Sequence, residues 1–138
     1  MARAALGVIA GFLAWVAAWF GGEKILSAIG PDWFGVHQRA FEAALIDGTL
    51  PYTANATMLA THIVLGVIVT LLAGFVAALA AGENKRAPLI LGCLLLAMGV
   101  MKAVMSWPYV PLWYHLIFTA LLLPMAIMGG KLQRGKAR

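Results

Sequence analysis

An all-α, four-helix transmembrane bundle, with an external amphipathic helix between its first two spans, is the fold this sequence predicts. Three observations predict it. Charged residues make up 11% of the 138-residue chain and hydrophobic ones 63%, whereas an ordinary soluble domain is about 25% charged. The apolar residues fall into four long runs, each near the ~20 residues a helix needs to cross a bilayer. Most of the ten Lys and Arg residues sit at the ends of those runs. That placement marks membrane topology and implies no nucleic-acid partner. The chain reads as a single integral membrane domain, 1–138, with spans at about 4–29, 58–81, 86–107 and 111–129 and an external segment at 31–57.

The first span follows Arg3 and runs without a charge from Ala4 to Gly22. A signal peptide also begins this way, but this run is long for a signal core, carries Trp15, Trp19 and Phe20, and meets no clean cleavage site before Glu23. Gly30-Pro31 should end the helix. Gly7 and Gly11 form a Gly-x-x-x-Gly, and Ala10, Ala14, Ala18 and Gly22 recur every fourth residue. Small residues at that spacing let another helix approach closely.

The external segment holds Asp32, His37, Arg39, Glu42 and Asp47. Between them Trp33, Phe34, Val36, Ala40, Phe41, Ala44 and Leu45 recur at three- and four-residue steps, an amphipathic helix pattern. Asp32 is the expected N-cap, and Asp47-Gly48 the expected end. The helix should lie on the membrane surface with its aromatic face among the headgroups.

From Gly48 to Gly82 there is no charge, and the second span carries His62 near its start. A tight polar turn, Gly82-Glu83-Asn84-Lys85-Arg86, leads into the third span, with Asn84 as expected cap and Pro88 in the first turn, where its missing N–H is tolerated. The third span carries Lys102. Pro108 and Pro111 forbid one continuous helix into the fourth span, which Gly129-Gly130 should end. The single Cys93 lies in an apolar run and reads as a small buried residue.

Arg3, Lys85, Arg86, Lys131, Arg134, Lys136 and Arg138 fall on one side of the membrane, and Lys24 and Arg39 on the other. The positive-inside rule then places both termini and the 82–87 turn in the cytoplasm. Trp19, Trp33, Tyr52, Trp107, Tyr109, Trp113 and Tyr114 fall near the outer interface, as an aromatic belt should. Of these, Trp107, Tyr109, Trp113 and Tyr114 surround the last connection.

Lys102 is the most informative residue, because an ionised lysine in hydrocarbon is expensive. At about 1.5 Å per residue it lies roughly 8 Å inside the outer end of its helix, with His115 and His62 each roughly 6 Å inside theirs. Glu23 is the nearest carboxylate. These four form a candidate polar pocket: Glu23, His62, Lys102 and His115. Two plainer readings compete with it. Lys102 snorkels to the headgroups along its own stem, or it pairs with Glu23 to fix helix packing. His62 and His115 at matched depth also raise axial ligation of a b-type haem, against the simpler reading that each hydrogen-bonds a neighbouring group. No Cys or carboxylate cluster has metal-ligand spacing. The sequence also lacks a Gly-rich phosphate loop, a His-Glu-x-x-His and a Ser/His/Asp arrangement, so no catalytic residue is assigned.

Val110-Pro-Leu-Trp-Tyr-His115, the Phe118 and Pro124 that follow it, and the closing glycine before Lys131 resemble the C-terminal part of a group of small bacterial four-helix membrane proteins to which no activity is assigned. Gly11-Phe-Leu-Ala-Trp15 is similar too. The resemblance covers about a third of the chain. It implies a bacterial inner-membrane protein in which Trp113, Tyr114 and His115 are a shared feature, and it brings no substrate.

The expectation is a non-enzymatic structural or accessory subunit without a cofactor, embedded in lipid and packed against a larger complex or its own copies. Two alternatives remain. One is an outer-leaflet ligand-binding or haem protein using His62, His115 and Lys102. The other is a small oligomeric transporter.

Overall fold

The computed structural model describes residues 2–47, 56–107 and 110–133. Tyr52, Pro108, Tyr109, Arg134, Lys136 and Arg138, on which parts of the sequence reading rest, lie outside the described residues. The chain forms α1 (Ala2–Ile29), a π-helical turn (Pro31–Gly35), α2 (Val36–Asp47), α3 (Ala56–Ala81), α4 (Arg86–Met105) and α5 (Leu112–Leu132). Helices α1, α3, α4 and α5 are each long and apolar enough to cross a membrane. The shortest, α4, has 20 residues, or about 30 Å of rise, which just matches a hydrocarbon core. Leu6, Ile9, Leu13, Val64, Ile68 and Leu72 are all exposed, as side chains facing lipid should be.

Helix α3 is central, packing along α1 on one side and α5 on the other, while α4 packs on α5 and more lightly on α1. Glycines set this order. Gly7 and Gly11 of α1 lie against Ala81, Ala77 and the Ala73 carbonyl of α3, while Gly22 meets Leu65. Ascending along α1 therefore descends along α3, and the pair is antiparallel. Gly66 meets Phe118 and Gly74 meets Ala126, so α3 and α5 run parallel. The Gly-x-x-x-Gly of α1 is thus consumed inside the chain.

Five local expectations are corrected. Cys93 is exposed on α4 rather than buried. The external helix does not start on an Asp32 cap. Gly30 holds the cap position with no side-chain hydrogen bond, and the Gly35 N–H donates to the Gly30 carbonyl at 3.1 Å, closing a wider π turn. The aromatic face is not all at the surface either. Trp33 is 37% exposed, but Phe34 is fully buried, its ring 5.0 Å from that of His62. Phe34 is the peg that fastens this segment to the bundle. Phe34→Ala should cost about 3–5 kcal/mol of docking, read as faster tryptic cleavage at the exposed Arg39.

Lys85 holds the N-cap position of α4, and the carboxylate that caps the helix comes from Glu83, not Asn84. That carboxylate accepts from the N–H groups of Lys85 (2.8 Å), Arg86 (2.8 Å) and Ala87 (2.6 Å), while Asn84 Nδ2 reaches the Gln133 carbonyl at 3.4 Å. A carboxylate there can satisfy several orphan donors at once and favours the positive helix end. Partial burial works against its charge, but those three N–H groups and the Arg86 charge hold the Glu83 carboxyl below the usual carboxylate range. A depressed folded-state value contributes stability above the unfolded carboxyl pKa, and that stability is lost as pH falls through the folded value. Glu83→Ala should therefore cost about 1 kcal/mol near pH 7 and much less near pH 3, as measured by thermal unfolding in detergent. Finally, Gly129-Gly130 does not stop α5. Both glycines are buried inside it, Gly129 against the Leu71 backbone and Gly130 against Pro88.

Candidate functional site

Glu23 lies near the end of α1, His62 in the second turn of α3, and Lys102 in the last turn of α4. The fold brings these ends together beneath Phe34 and α2. Glu23, His62 and Lys102 line one small cavity of about 30 Å³ with Gln38, Ser106 and Tyr114. Its volume is about that of one water. His62 Nδ1 lies 3.1 Å from the Met58 carbonyl, which can only accept, so Nδ1 carries the hydrogen. The His62 Nε2 faces Glu23 Oε1 at 3.7 Å. With Nδ1 so committed, an attractive contact with the carboxylate needs a second proton on the ring. Gln38 Nε2 donates to Glu23 Oε1 at 3.5 Å and to Glu42 Oε1 at 3.0 Å. Among the described residues, Gln38 Oε1 is buried without a hydrogen-bond partner.

Lys102 is exposed as a residue, and its ammonium lies over the Trp19 ring, 5.0 Å from the centroid, and 5.3 Å from that of Phe118. Aromatic faces compensate a desolvated cation in part. Among the described residues no ion pair within 4.0 Å joins Lys102 to Glu23. The Glu23 carboxylate lines the same cavity as Lys102. Lys102 and Ser106 also line a second, larger space of about 280 Å³ with Trp15, Met98, Met101 and Met105. This crevice separates α1 from α4 where their packing is light, and Leu45 of α2 overhangs it. Lys102 therefore stands between a polar cavity and an apolar crevice.

His115 does not join the other three. It is buried on the far side of α4, its ring stacked on Trp107 at 5.6 Å, and it lines a separate apolar groove between α4 and α5. His62 and His115 thus line different cavities and do not face each other as a pair of axial ligands would. Trp107 and Trp113 are exposed, as belt residues should be. Tyr114 and Trp19, also expected at the interface, are buried in the core. Tyr114 stacks on Phe118 at 5.5 Å and Trp19 on Trp15 at 5.5 Å, while the Trp15 Nε1–H donates to Thr70 Oγ1 at 3.2 Å.

The site also holds residues the sequence reading passed over: Gln38, Ser106, Trp19 and Phe118. For Trp19 a signal was available. Gly7, Gly11, Trp15 and Trp19 repeat every four residues, so the tryptophans share the face on which the glycines meet α3. Gln38 and Ser106 carried no comparable signal.

No protein-family model matches the chain, and no curated protein or solved structure matches it either.

Proposed function

We propose that this is a non-enzymatic, ligand-binding integral membrane protein whose site is built on Lys102 and takes an anionic group. The supporting observation is the position of the ammonium. It is inside the bundle, held by two ring faces, with no carboxylate in contact among the described residues, and it borders an apolar crevice that Glu23 does not line. An intramembrane cation of this kind is costly and marks a site unless it is paired. Glu23, His62 and Gln38 form the polar wall behind it.

The basic residues support a bacterial inner-membrane placement with the termini cytoplasmic. Arg3, Lys85, Arg86 and Lys131 share one end of the bundle, and the Lys102 cluster the other. The site then lies in the outer half of the membrane. The accessory-subunit reading rested on small residues left over for a partner. Gly7, Gly11 and Gly22 of α1 are taken up by α3 and α4, so these glycines are not free for a partner.

Native mass spectrometry of the protein in detergent tests the reading, with carboxylates and inorganic phosphate as probes. Retention of an anion by the wild type and by Lys102→Arg, but not by Lys102→Met, is expected. Equal retention by Lys102→Met removes the basis for the proposal.

A further inference from the structure

The crevice between α1 and α4 says what kind of anion the site takes. Resting on the reading of Lys102 as an anion site, we propose that the ligand is a single-chain anionic amphiphile, a long-chain carboxylate in type. Its hydrocarbon tail fills the crevice, and it enters sideways from the lipid.

Size and lining both argue for this. At about 280 Å³ the crevice is near the lower limit of small-molecule pockets, about 300–1,000 Å³, so one chain fits better than two. Its walls are apolar, and three of the lining residues are Met98, Met101 and Met105. Unbranched thioether side chains adapt to a flexible chain. Lys102 and Ser106 are the hydrogen-bonding side chains at the inner end, where the crevice meets the polar cavity. The head therefore meets the Lys102 ammonium, the one charged group on the crevice wall, while the Ser106 hydroxyl donates to the Lys102 carbonyl at 2.8 Å. The polar cavity itself, at about 30 Å³, has no room for a hydrated free anion. The rim points the same way. Met101 is 59% and Met105 70% exposed, on the surface that lipid covers, while α2 overhangs the polar end. A second apolar groove, beside His115, has no cation among its lining residues and offers nothing to select a charged chain.

The test is native mass spectrometry of the full chain in one detergent, with four probes at equal concentration: dodecanoate, its methyl ester, acetate and phosphatidylglycerol. Dodecanoate should be retained, with Lys102→Met lowering retention by about tenfold or more. Met101→Trp should lower it as well by filling the crevice from its exposed rim, where added bulk does not disturb the core. Acetate bound in a Lys102-dependent way, with dodecanoate no better, would sink this inference and leave the anion site standing. Methyl ester retained as well as dodecanoate would overturn the role of charge, and with it both readings. Preferential retention of phosphatidylglycerol would replace the single chain with a two-chain lipid. Retention of no probe would remove the anion site and this inference together. A thermal midpoint of Lys102→Met no lower than that of the wild type in the same detergent shows that its loss of binding is not loss of fold.

Discussion

Lys102→Met should make the ligand-free protein more stable while lowering anion retention by about tenfold or more. An ammonium withdrawn from water carries a desolvation cost of several kcal/mol. Its compensations here are partial: two aromatic faces at 5.0 and 5.3 Å and Glu23 across the same cavity, with no ion pair within 4.0 Å among the described residues. Methionine has a similar length and shape and no charge, and three methionines already line the crevice beside it. Replacing a poorly paired buried charge with a well-packed apolar side chain typically gains about 1–4 kcal/mol. Glu23 keeps the Gln38 amide as a donor at 3.5 Å after the change. The expected result is a thermal midpoint several degrees higher in detergent. A stabilised, weakly binding variant is the pattern of a site maintained at the expense of stability. A loss of about 3 kcal/mol would instead mean that Lys102 ties the helices together, as one of the plain readings holds.

The parts of the fold that depend on one-dimensional pattern were legible in the sequence. Charge-free runs set four helices to within two or three residues of where they lie, and the alternation of apolar and polar residues set α2. Capping was less legible. Asn84 and Glu83 are adjacent, both can cap, and the choice turned on whether Asn84 was needed by the Gln133 carbonyl 49 residues away. The glycines were misjudged for the same reason. Gly129-Gly130 reads as a helix end when no neighbour is known, and as a contact surface once Leu71 and Pro88 are placed against it. At the site, depth along each helix was readable and direction around it was not. Glu23, His62 and Lys102 reach one cavity, while His115, at the depth of the other two, points to the opposite side of α4. Depth follows from counting residues at a fixed rise. Direction depends on which face each helix buries, and helices apolar all round conceal that face.

Gly74→Leu and Gly129→Leu should be the most damaging single substitutions in the membrane core. A Cβ built at Gly74 overlaps the Ala126 carbonyl, and one built at Gly129 overlaps the Leu71 carbonyl. Both collisions are with backbone, so no rotamer relieves them, and α3 and α5 must separate. In lipid the helices have no hydrophobic force to hold them together, and close contact is what association rests on. Overpacking a core costs about 1–3 kcal/mol when side chains can yield. Here the cost should reach or exceed the top of that range and appear as loss of folded protein on extraction into detergent. Gly22→Ala is the matched control. The nearest atom to its added methyl is the end of the Leu65 side chain, which can turn aside, so a change of less than about 1 kcal/mol is expected. If Gly74→Leu were tolerated as well as Gly22→Ala, the close crossing of α3 and α5 would be wrong. The register that carries His62 toward Lys102 would be wrong with it, since α3 bears His62 on the same helix that Gly74 seats against α5.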